Sequence, residues 1–391
     1  VSWIYRTLVR PGLFACDSEE IHNRTLRGLS WISRRPIVRE LAGSLFSAPA
    51  LPTELFGLKF PNPVGLAAGM DKDAVALPAW EALGFGFVEL GAVTFHPQPG
   101  NPAPRLFRIV PDGALINRMG FNNEGAETIA RRLAEWRGSG LWPKHPVGVN
   151  LGKSKVTPLN AAAEDYRKSF EALWAELDFF VINVSSPNTP QLRELQDRGA
   201  LEEILIALQE ANDRFVSRAQ SGSENASRPG ARGVIAPQRK PILIKVAPDL
   251  SWAALDAILE LATERAIAGL VATNTTIERP KRARPELTRI YQETGGLSGR
   301  PLRERSTEVI RHIFRRSEGK MPIIGVGGIF SSMDAWEKLT AGASLVQVYT
   351  GLVYEGPGLV RELVRGLQER LSRQGLKEVR EAVGIGGSPL G

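Results

Sequence analysis

The sequence predicts an α/β fold, a (β/α)8 barrel preceded by an N-terminal amphipathic helical hairpin. From about residue 55 onward, short apolar, β-branched runs alternate with helical stretches, as in βαβ units around a parallel sheet. The runs number eight, over residues 64–67, 87–91, 147–150, 179–184, 242–246, 269–273, 323–326 and 345–349. A doubly wound sheet typically has about five to seven strands, so eight runs favour the barrel. A chain of 391 residues, 43% hydrophobic and 23% charged, is long and apolar enough to build it.

Taken in order, residues 1–50 are expected to form a helical segment of their own. Trp3, Ile4, Tyr5, Leu8, Val9, Leu13 and Phe14 alternate with Arg6 and Arg10, which reads as a short amphipathic helix interrupted at Pro11-Gly12. Asp17 followed by Glu20 has the spacing of a capping box and opens a second helix, apolar at Ile21, Leu26, Leu29 and Ile32. Arg24, Arg27, Arg34 and Arg35 give that helix basic flanks. On spacing alone the pair either packs on the main domain or meets a membrane surface. Residues 51–375 form the barrel. Within it, residues 106–110 and 114–118 around Pro111-Asp112-Gly113 read as an inserted hairpin, and residues 221–240, rich in Ser, Gly, Pro and Arg, as a solvated loop. Residues 376–391 are a C-terminal tail.

Composition narrows the chemistry. A single cysteine, Cys16, excludes an internal disulfide and a Cys-x-x-Cys pair, and four histidines leave little for a metal site, so no metal is expected. The balance of 49 basic to 42 acidic residues, net +7, invites a polyanion such as anionic lipid or nucleic acid, but the excess is modest for this length. No run of 18 uncharged apolar residues occurs, and the N-terminus lacks a signal-type apolar core, which predicts a soluble or surface-bound cytoplasmic protein.

Barrel active sites form at the C-terminal ends of the strands, and here those ends are polar. Asp71-Lys72 follows the first strand, Asn150 ends the third, Asn183 lies in the fourth, Lys245 in the fifth, and Thr273-Asn274-Thr275 ends the sixth. Such groups in apolar strands cost about 1–3 kcal/mol or more each unless they meet partners. After the last two strands, Gly327, Gly328, Tyr349, Thr350 and Gly351 stand where barrels commonly hold a phosphate. Flavin mononucleotide (FMN) fits a phosphate site with a buried lysine, because a fixed cation stabilises the negative charge of the reduced ring. Asn183-Val-Ser-Ser-Pro-Asn-Thr-Pro190 offers only hydroxyls as a base, and taken alone Ser-Ser-Pro-Asn is more often a capped turn. Gly148-Val-Asn-Leu-Gly-Lys-Ser154 is one residue short of phosphate-loop spacing, and Gly84-Phe-Gly86 precedes its strand, the wrong order for a dinucleotide fingerprint.

Seven motifs in order then resemble one family. Ala67-Ala-Gly-Met-Asp-Lys-Asp73, Asn117-Arg-Met-Gly-Phe-Asn-Asn123, Asn183 to Pro190, Lys245-Val-Ala-Pro-Asp249, Thr273-Asn-Thr-Thr276, Thr294-Gly-Gly-Leu-Ser-Gly-Arg-Pro-Leu302 and Ile323-Ile-Gly-Val-Gly-Gly-Ile329 closely resemble dihydroorotate dehydrogenase over about residues 50 to 365. The resemblance implies oxidation of dihydroorotate to orotate in pyrimidine synthesis, with one FMN per chain. It implies Ser186 as the base that takes the C5 proton. Lys72, Asn117, Arg118, Met119, Gly120, Phe121, Asn183, Asn188, Asn274 and Thr275 would line the substrate. Ala68, Gly69, Met70, Asp71, Lys72, Ala92, Asn150, Asn183, Lys245, Thr273, Gly299, Gly328, Tyr349 and Thr350 would meet the flavin. Ala92 departs from the family, where a hydroxyl residue is usual, so a side-chain contact to flavin is lost there.

Ser186 stands where soluble class 1 enzymes carry a cysteine, and Asp17-Ser-Glu-Glu-Ile-His22 resembles the second N-terminal helix of class 2. Class 2 resemblance implies a helical tunnel for a membrane quinone, with His22, Arg108 and Tyr349 as contacts. It implies peripheral attachment to anionic lipid on the cytoplasmic side of a bacterial inner membrane, and no nucleic-acid partner. A monomer is favoured. Two rivals stay in view: a phosphate-binding barrel isomerase or aldolase with Lys245 as a Schiff-base lysine, and a basic surface protein that binds lipid or nucleic acid without turnover.

Overall fold

A computed structural model describes residues 2–189, 192–224, 238–281 and 284–387. Most of the loop expected over 221–240 lies outside these, as do Val1, Pro190 and the end of the tail.

Strands β1 (Thr53–Leu55) and β2 (Leu58–Phe60) pair antiparallel as a small hairpin that the sequence reading missed. The next are β3 (Val64–Leu66), β4 (Phe87–Val93), β5 (Leu106–Ile109), β6 (Ala114–Asn117), β7 (Val147–Leu151), β8 (Phe179–Asn183) and β9 (Ile242–Val246). After them come β10 (Gly269–Ala272), β11 (Gly296–Gly299), β12 (Ile323–Val326) and β13 (Leu345–Val348). A closed parallel barrel runs β3-β4-β7-β8-β9-β10-β12-β13 and closes from β13 back to β3's other edge. All eight apolar runs are barrel strands, each beginning at the expected residue. Strands buried on both faces read as near-continuous apolar runs, which is why they were legible.

Alternate residues of each strand point inward. Phe87 and Phe179 fill the floor together with Phe60, whose ring meets Phe87 edge-on at 5.4 Å. Two glycines make the room: a Cβ on Gly65 would stand 2.3 Å from Phe87, and one on Gly148 2.2 Å from Phe179. The outward parity, Val88, Leu90, Val147 and Val149 among others, packs in the main core with the surrounding helices.

The expected hairpin is present as β5 and β6, joined through Gly113 in the left-handed region. A third strand, β11, pairs with β6 and makes a three-stranded sheet beside the barrel. Its Gly-Leu-Ser-Gly sequence has little strand propensity, and the pairing with β6 supplies what propensity does not.

The N-terminal region holds helical residues 2–14, the helix Ser18–Ser33 and a further helix, Pro36–Phe46, which begins with proline at its first turn. Asp17 caps the second helix by accepting from the N–H groups of Glu19 and Glu20, both at 2.9 Å. Both expected helices pack on the main domain. Tyr5 Oη donates to Val353 O at 2.8 Å, Arg10 to Tyr354 O at 3.0 Å, and Ser33 Oγ accepts from Ala79 N at 3.1 Å. Even so, large apolar side chains stay exposed there: Trp3, Ile4, Leu8, Val9 and Trp31, and the row Ile37, Leu41, Leu45 at helical spacing of four. No helix among the described residues is long and apolar enough to cross a membrane. At the other end, residues 376–387 are bound to the barrel: Val379 and Ala382 are buried, and Gly384 N donates to Leu339 O at 3.0 Å.

Candidate active site

The inward parity that puts phenylalanines on the floor puts polar residues above them. On β4, Glu89 follows Phe87 by two residues and is fully buried. Its Oε1 accepts from Asn150 Nδ2 of β7 at 2.7 Å and from Lys245 Nζ of β9 at 3.3 Å, and its Oε2 from Gln347 Nε2 of β13 at 2.6 Å. The network climbs from there. Asn150 Oδ1 accepts from Asn183 Nδ2 at 2.7 Å, and Asn183 Oδ1 accepts from Ser185 Oγ at 3.0 Å and Asn274 Nδ2 at 3.2 Å. Asn150 and Asn183, the amides expected in the apolar strands, are thus partnered at both ends, and Glu89 is the counter-charge that the buried lysine needed. Removing one member exposes the dependence. Lys245→Ala leaves a buried carboxylate without its cation and lowers stability by about 3–5 kcal/mol. Chemical denaturation should show most of that loss recovered in the Lys245→Ala, Glu89→Gln double variant; equal loss in both would refute the pairing.

Above the network opens a cavity of about 1090 Å³, counting its mouth. Its upper wall carries Ser186, Asn188, Asn117 and Lys72. Ser186 is 5% exposed, and its Oγ accepts from Asn188 N at 3.2 Å. Asn188 Nδ2 in turn donates to Asn117 Oδ1 at 3.2 Å, which ties the loop after β8 to the end of β6. Asn101 Nδ2 also supports this loop, donating to Asn188 O at 3.1 Å. Lys72 forms no hydrogen bond or ion pair among the described residues, and desolvation lowers its pKa to about 8. A cation facing a cavity without a partner is a ready site for an anion.

The end between β12 and β13 is built from small residues. Gly328 has φ 72, and a Cβ there would come within 2.4 Å of Arg303 Cβ; at Gly299, φ 94, it would meet Gly113 O at 2.2 Å. Thr350 Oγ1 and Ser298 Oγ are hydrogen-bonded at 2.8 Å at the same end. Tyr349 stands against Gly69, and burial pushes its phenol pKa up to about 12.

Most of the expected site residues converge on this cavity. Ala68, Gly69, Lys72, Ala92, Asn117, Met119, Gly120, Phe121, Asn150, Asn183, Ser186, Asn188, Lys245, Thr273, Asn274, Thr275, Gly299, Gly328, Tyr349 and Thr350 all line it. Three side chains lie elsewhere. Met70 is in the main core, Asp71 accepts from Val75 N, Ala76 N and Trp80 Nε1, and Arg118 pairs with Glu293 at 2.7 Å and stacks over Phe107. Asp71 is a buried helix anchor, and Arg118 is drawn outward by its acidic partner.

Of the three residues expected at a quinone, Tyr349 lines the cavity. Arg108 donates to Leu13 O and Cys16 O and lies over Phe14 at 4.7 Å, clamping the first helix to β5. His22 stands near Lys72, and desolvation with that lysine's charge lowers its pKa to about 3. The near-miss glycine motif is structural: Ser154 N donates to Asp165, and Lys153 Nζ to Ser154 O and Thr157 O. Glu89, Gln347, Ser298, Leu106 and Leu115 were missed. Glu89 and Gln347 had a signal: each lies two residues from an inward residue on its own strand, Phe87 and Leu345.

Among the described residues no cluster suits a metal ion. The family model described as dihydroorotate dehydrogenase matches residues 50–371. A dihydroorotate dehydrogenase (quinone) of Gloeobacter violaceus is 52% identical over 97% of this chain and 98% of its own. One of Nostoc punctiforme is 50% identical over 98% of both. The solved structure of DHODH from Eimeria tenella in complex with ferulenol superposes with a TM-score of 0.81 at 37% identity, over 95% of this chain and 96% of that one.

Proposed function

The chain belongs to the dihydroorotate dehydrogenase family, and from that premise we propose which of its residues carry the reaction. It oxidises dihydroorotate to orotate in pyrimidine biosynthesis, as its quinone-type relatives are named for, with a flavin and a quinone as electron carriers. The observation that carries the assignment is a single cavity holding a buried hydroxyl, Ser186, beside an unpaired cation, Lys72, above a charged amide floor.

The flavin we assign is FMN. The fit rests on a glycine cradle that admits no side chain at Gly328 and Gly299, a lysine held in the floor, and a buried acceptor, Gln347 Oε1, with no partner. Gly328, Thr350 and Ser298 would hold its phosphate end, and Lys245, Asn150 and Asn183 its ring. When bound it supplies a hydride acceptor and a route for electrons to the quinone.

Ser186 Oγ removes the C5 proton of the substrate. The N–H of Asn188 donates to that oxygen, which favours its anionic form and fixes the direction of its free lone pair. Asn188, Asn117 and Asn274 offer donors and acceptors that suit a small ring bearing amides. Lys72 meets the substrate carboxylate. Its charged form exists below about pH 8 and is lost above, so affinity for the anionic product orotate should be level below that pH and fall, by up to about tenfold per unit, above it. Lys72→Met should bind weakly at every pH with no such slope; titration of the flavin spectrum measures this, and a slope that persists in the variant refutes the role.

The Schiff-base rival is disfavoured by Lys245 itself. A nucleophilic lysine must be neutral, whereas Lys245 is ion-paired with Glu89. The direct test is an anaerobic visible spectrum before and after dihydroorotate. Bleaching of a flavin band supports the reading, and a band that persists rejects the substrate.

For the quinone, an apolar cluster of Leu115, Phe330 and Tyr354, joined by Phe14, Val353 and Tyr349, links the cavity wall to the first helix. We assign it as the route, opening among the exposed Trp3, Leu8, Ile37 and Leu41, which sit with their neighbouring arginines on an anionic membrane surface.

A further inference from the structure

Glu89 does more than neutralise Lys245. A carboxylate accepts and never donates, so every group that points at it must present a hydrogen. Gln347 is 1% exposed, and 2.6 Å separates its amide nitrogen from Glu89 Oε2. That contact decides which end of the amide is which: the NH2 end faces Glu89, and Oε1 faces the other way. Asn150 is held in the same manner, with Nδ2 on Glu89, but its Oδ1 is taken by Asn183. Gln347 Oε1 has no such partner. It is one of five buried side-chain atoms left without a hydrogen bond among the described residues, and of their residues Gln347 is the one that lines the cavity.

A buried acceptor without a donor is costly, of the same order as a lost hydrogen bond, and nothing in the strand requires a glutamine there. Leucine or valine would fill an inward barrel position without that cost, as Val181 does on β8. The atom therefore waits for a donor that enters the cavity. The donor comes from the deeper of the two occupants. Gln347 belongs to the charged floor with Glu89, Asn150 and Lys245, whereas Ser186, Asn188, Asn117 and Lys72 stand on the upper wall where the substrate is assigned. An oxidised flavin ring has one ring N–H, that of its imide.

We infer that Gln347, oriented by Glu89, is a further cofactor-binding residue whose side-chain Oε1 accepts a hydrogen bond from the imide N–H of the bound flavin. The inference rests on the flavin reading and goes beyond it, because it names the atom that reads the ring. It makes Glu89 a positioning residue, which sets a cation and two amides in one layer.

The test uses the purified protein stripped of flavin and reconstituted with FMN or with 3-methyl-FMN, which has a methyl group in place of the imide hydrogen. Dissociation constants are read from flavin fluorescence. The unaltered protein should bind FMN roughly tenfold or more tightly than 3-methyl-FMN. Gln347→Ala, which removes the acceptor and opens space for the methyl, should cut that preference to about threefold or less. A preference that survives Gln347→Ala overturns the inference while leaving the flavin reading intact. Failure of the unaltered protein to bind either flavin overturns both. A second measurement needs no variant: FMN labelled with nitrogen-15 at the imide, bound to the unaltered protein, should show an imide proton in slow exchange with water. A proton exchanging as fast as in free FMN also overturns the inference.

Discussion

Replacement of Ser186 by alanine should leave a yellow protein whose flavin is reduced by dihydroorotate about 10²–10⁴ times more slowly. The size follows from what the side chain does and from what surrounds it. Ser186 Oγ takes a hydrogen bond from Asn188 N, and among the described residues it has no hydrogen bond to a carboxylate or an imidazole. Below about pH 8 no second base stands ready to replace it: the cavity's other polar groups near the substrate are amides, threonine hydroxyls and Lys72, which is charged in that range. The floor is untouched by the change, because Glu89, Lys245, Asn150 and Gln347 bond to one another and none of them to Ser186. Flavin content and melting temperature should therefore stay near those of the parent, and orotate should still perturb the spectrum. Stopped-flow reduction under anaerobic conditions separates the outcomes. Reduction within about threefold of the parent rate would remove Ser186 from the base role. Ser186→Cys is the informative companion, since a thiol ionises more readily and should restore part of the rate with a shifted pH profile.

That site was legible where the barrel makes it so. Each strand of a parallel barrel is an apolar run with its chemistry towards the C-terminal end, and Asn150, Asn183, Lys245 and Thr273 broke their runs there, where they drew attention. Glu89 broke its run in the middle, between Val88 and Leu90, with no polar neighbour to mark it. Its meaning lies in three strands, β7, β9 and β13, that are distant in sequence and meet only when the barrel closes. β11 was hidden for a related reason: two of its four residues are glycine, and pairing with β6 on one edge and Thr276 on the other makes it a strand. Asp71 and Arg118 show the converse. They sit inside site motifs, but buried N–H groups claim the first and Glu293 claims the second. A motif fixes which backbone passes the cavity, and each side chain's partners fix whether it turns in.

Removal of residues 1–16 should spare the reduction of flavin by dihydroorotate and reduce turnover with a membrane quinone by about tenfold or more. The cut is set by packing. Helix Ser18–Ser33 cannot be removed cleanly, because Ser33 accepts from buried Ala79 N, Leu26, Leu29 and Ile32 pack against the main core, and Glu19 pairs with Arg105 at 2.6 Å. Arg105 also donates to Asn101 O, and Asn101 supports the Asn188 loop, so a deletion through that helix would disturb the substrate wall as well. Residues 2–14 touch a different part of the molecule. Their contacts are with Val353, Tyr354, Glu355 and Arg108, at the outer end of the apolar cluster that reaches the cavity through Tyr349 and Leu115. Without them Phe14 is gone, and the proposed path from lipid to Tyr349 loses a wall along with the exposed Trp3, Ile4 and Leu8. Reduction by substrate and turnover with a small water-soluble oxidant use neither, and both should persist. Binding to vesicles of anionic lipid should weaken without vanishing, since Trp31 and the row Ile37, Leu41, Leu45 stay exposed on the helices that remain. Equal quinone turnover before and after the cut would place the electron exit elsewhere; parallel loss with the soluble oxidant would mean that the segment holds the barrel together and does not guide the quinone.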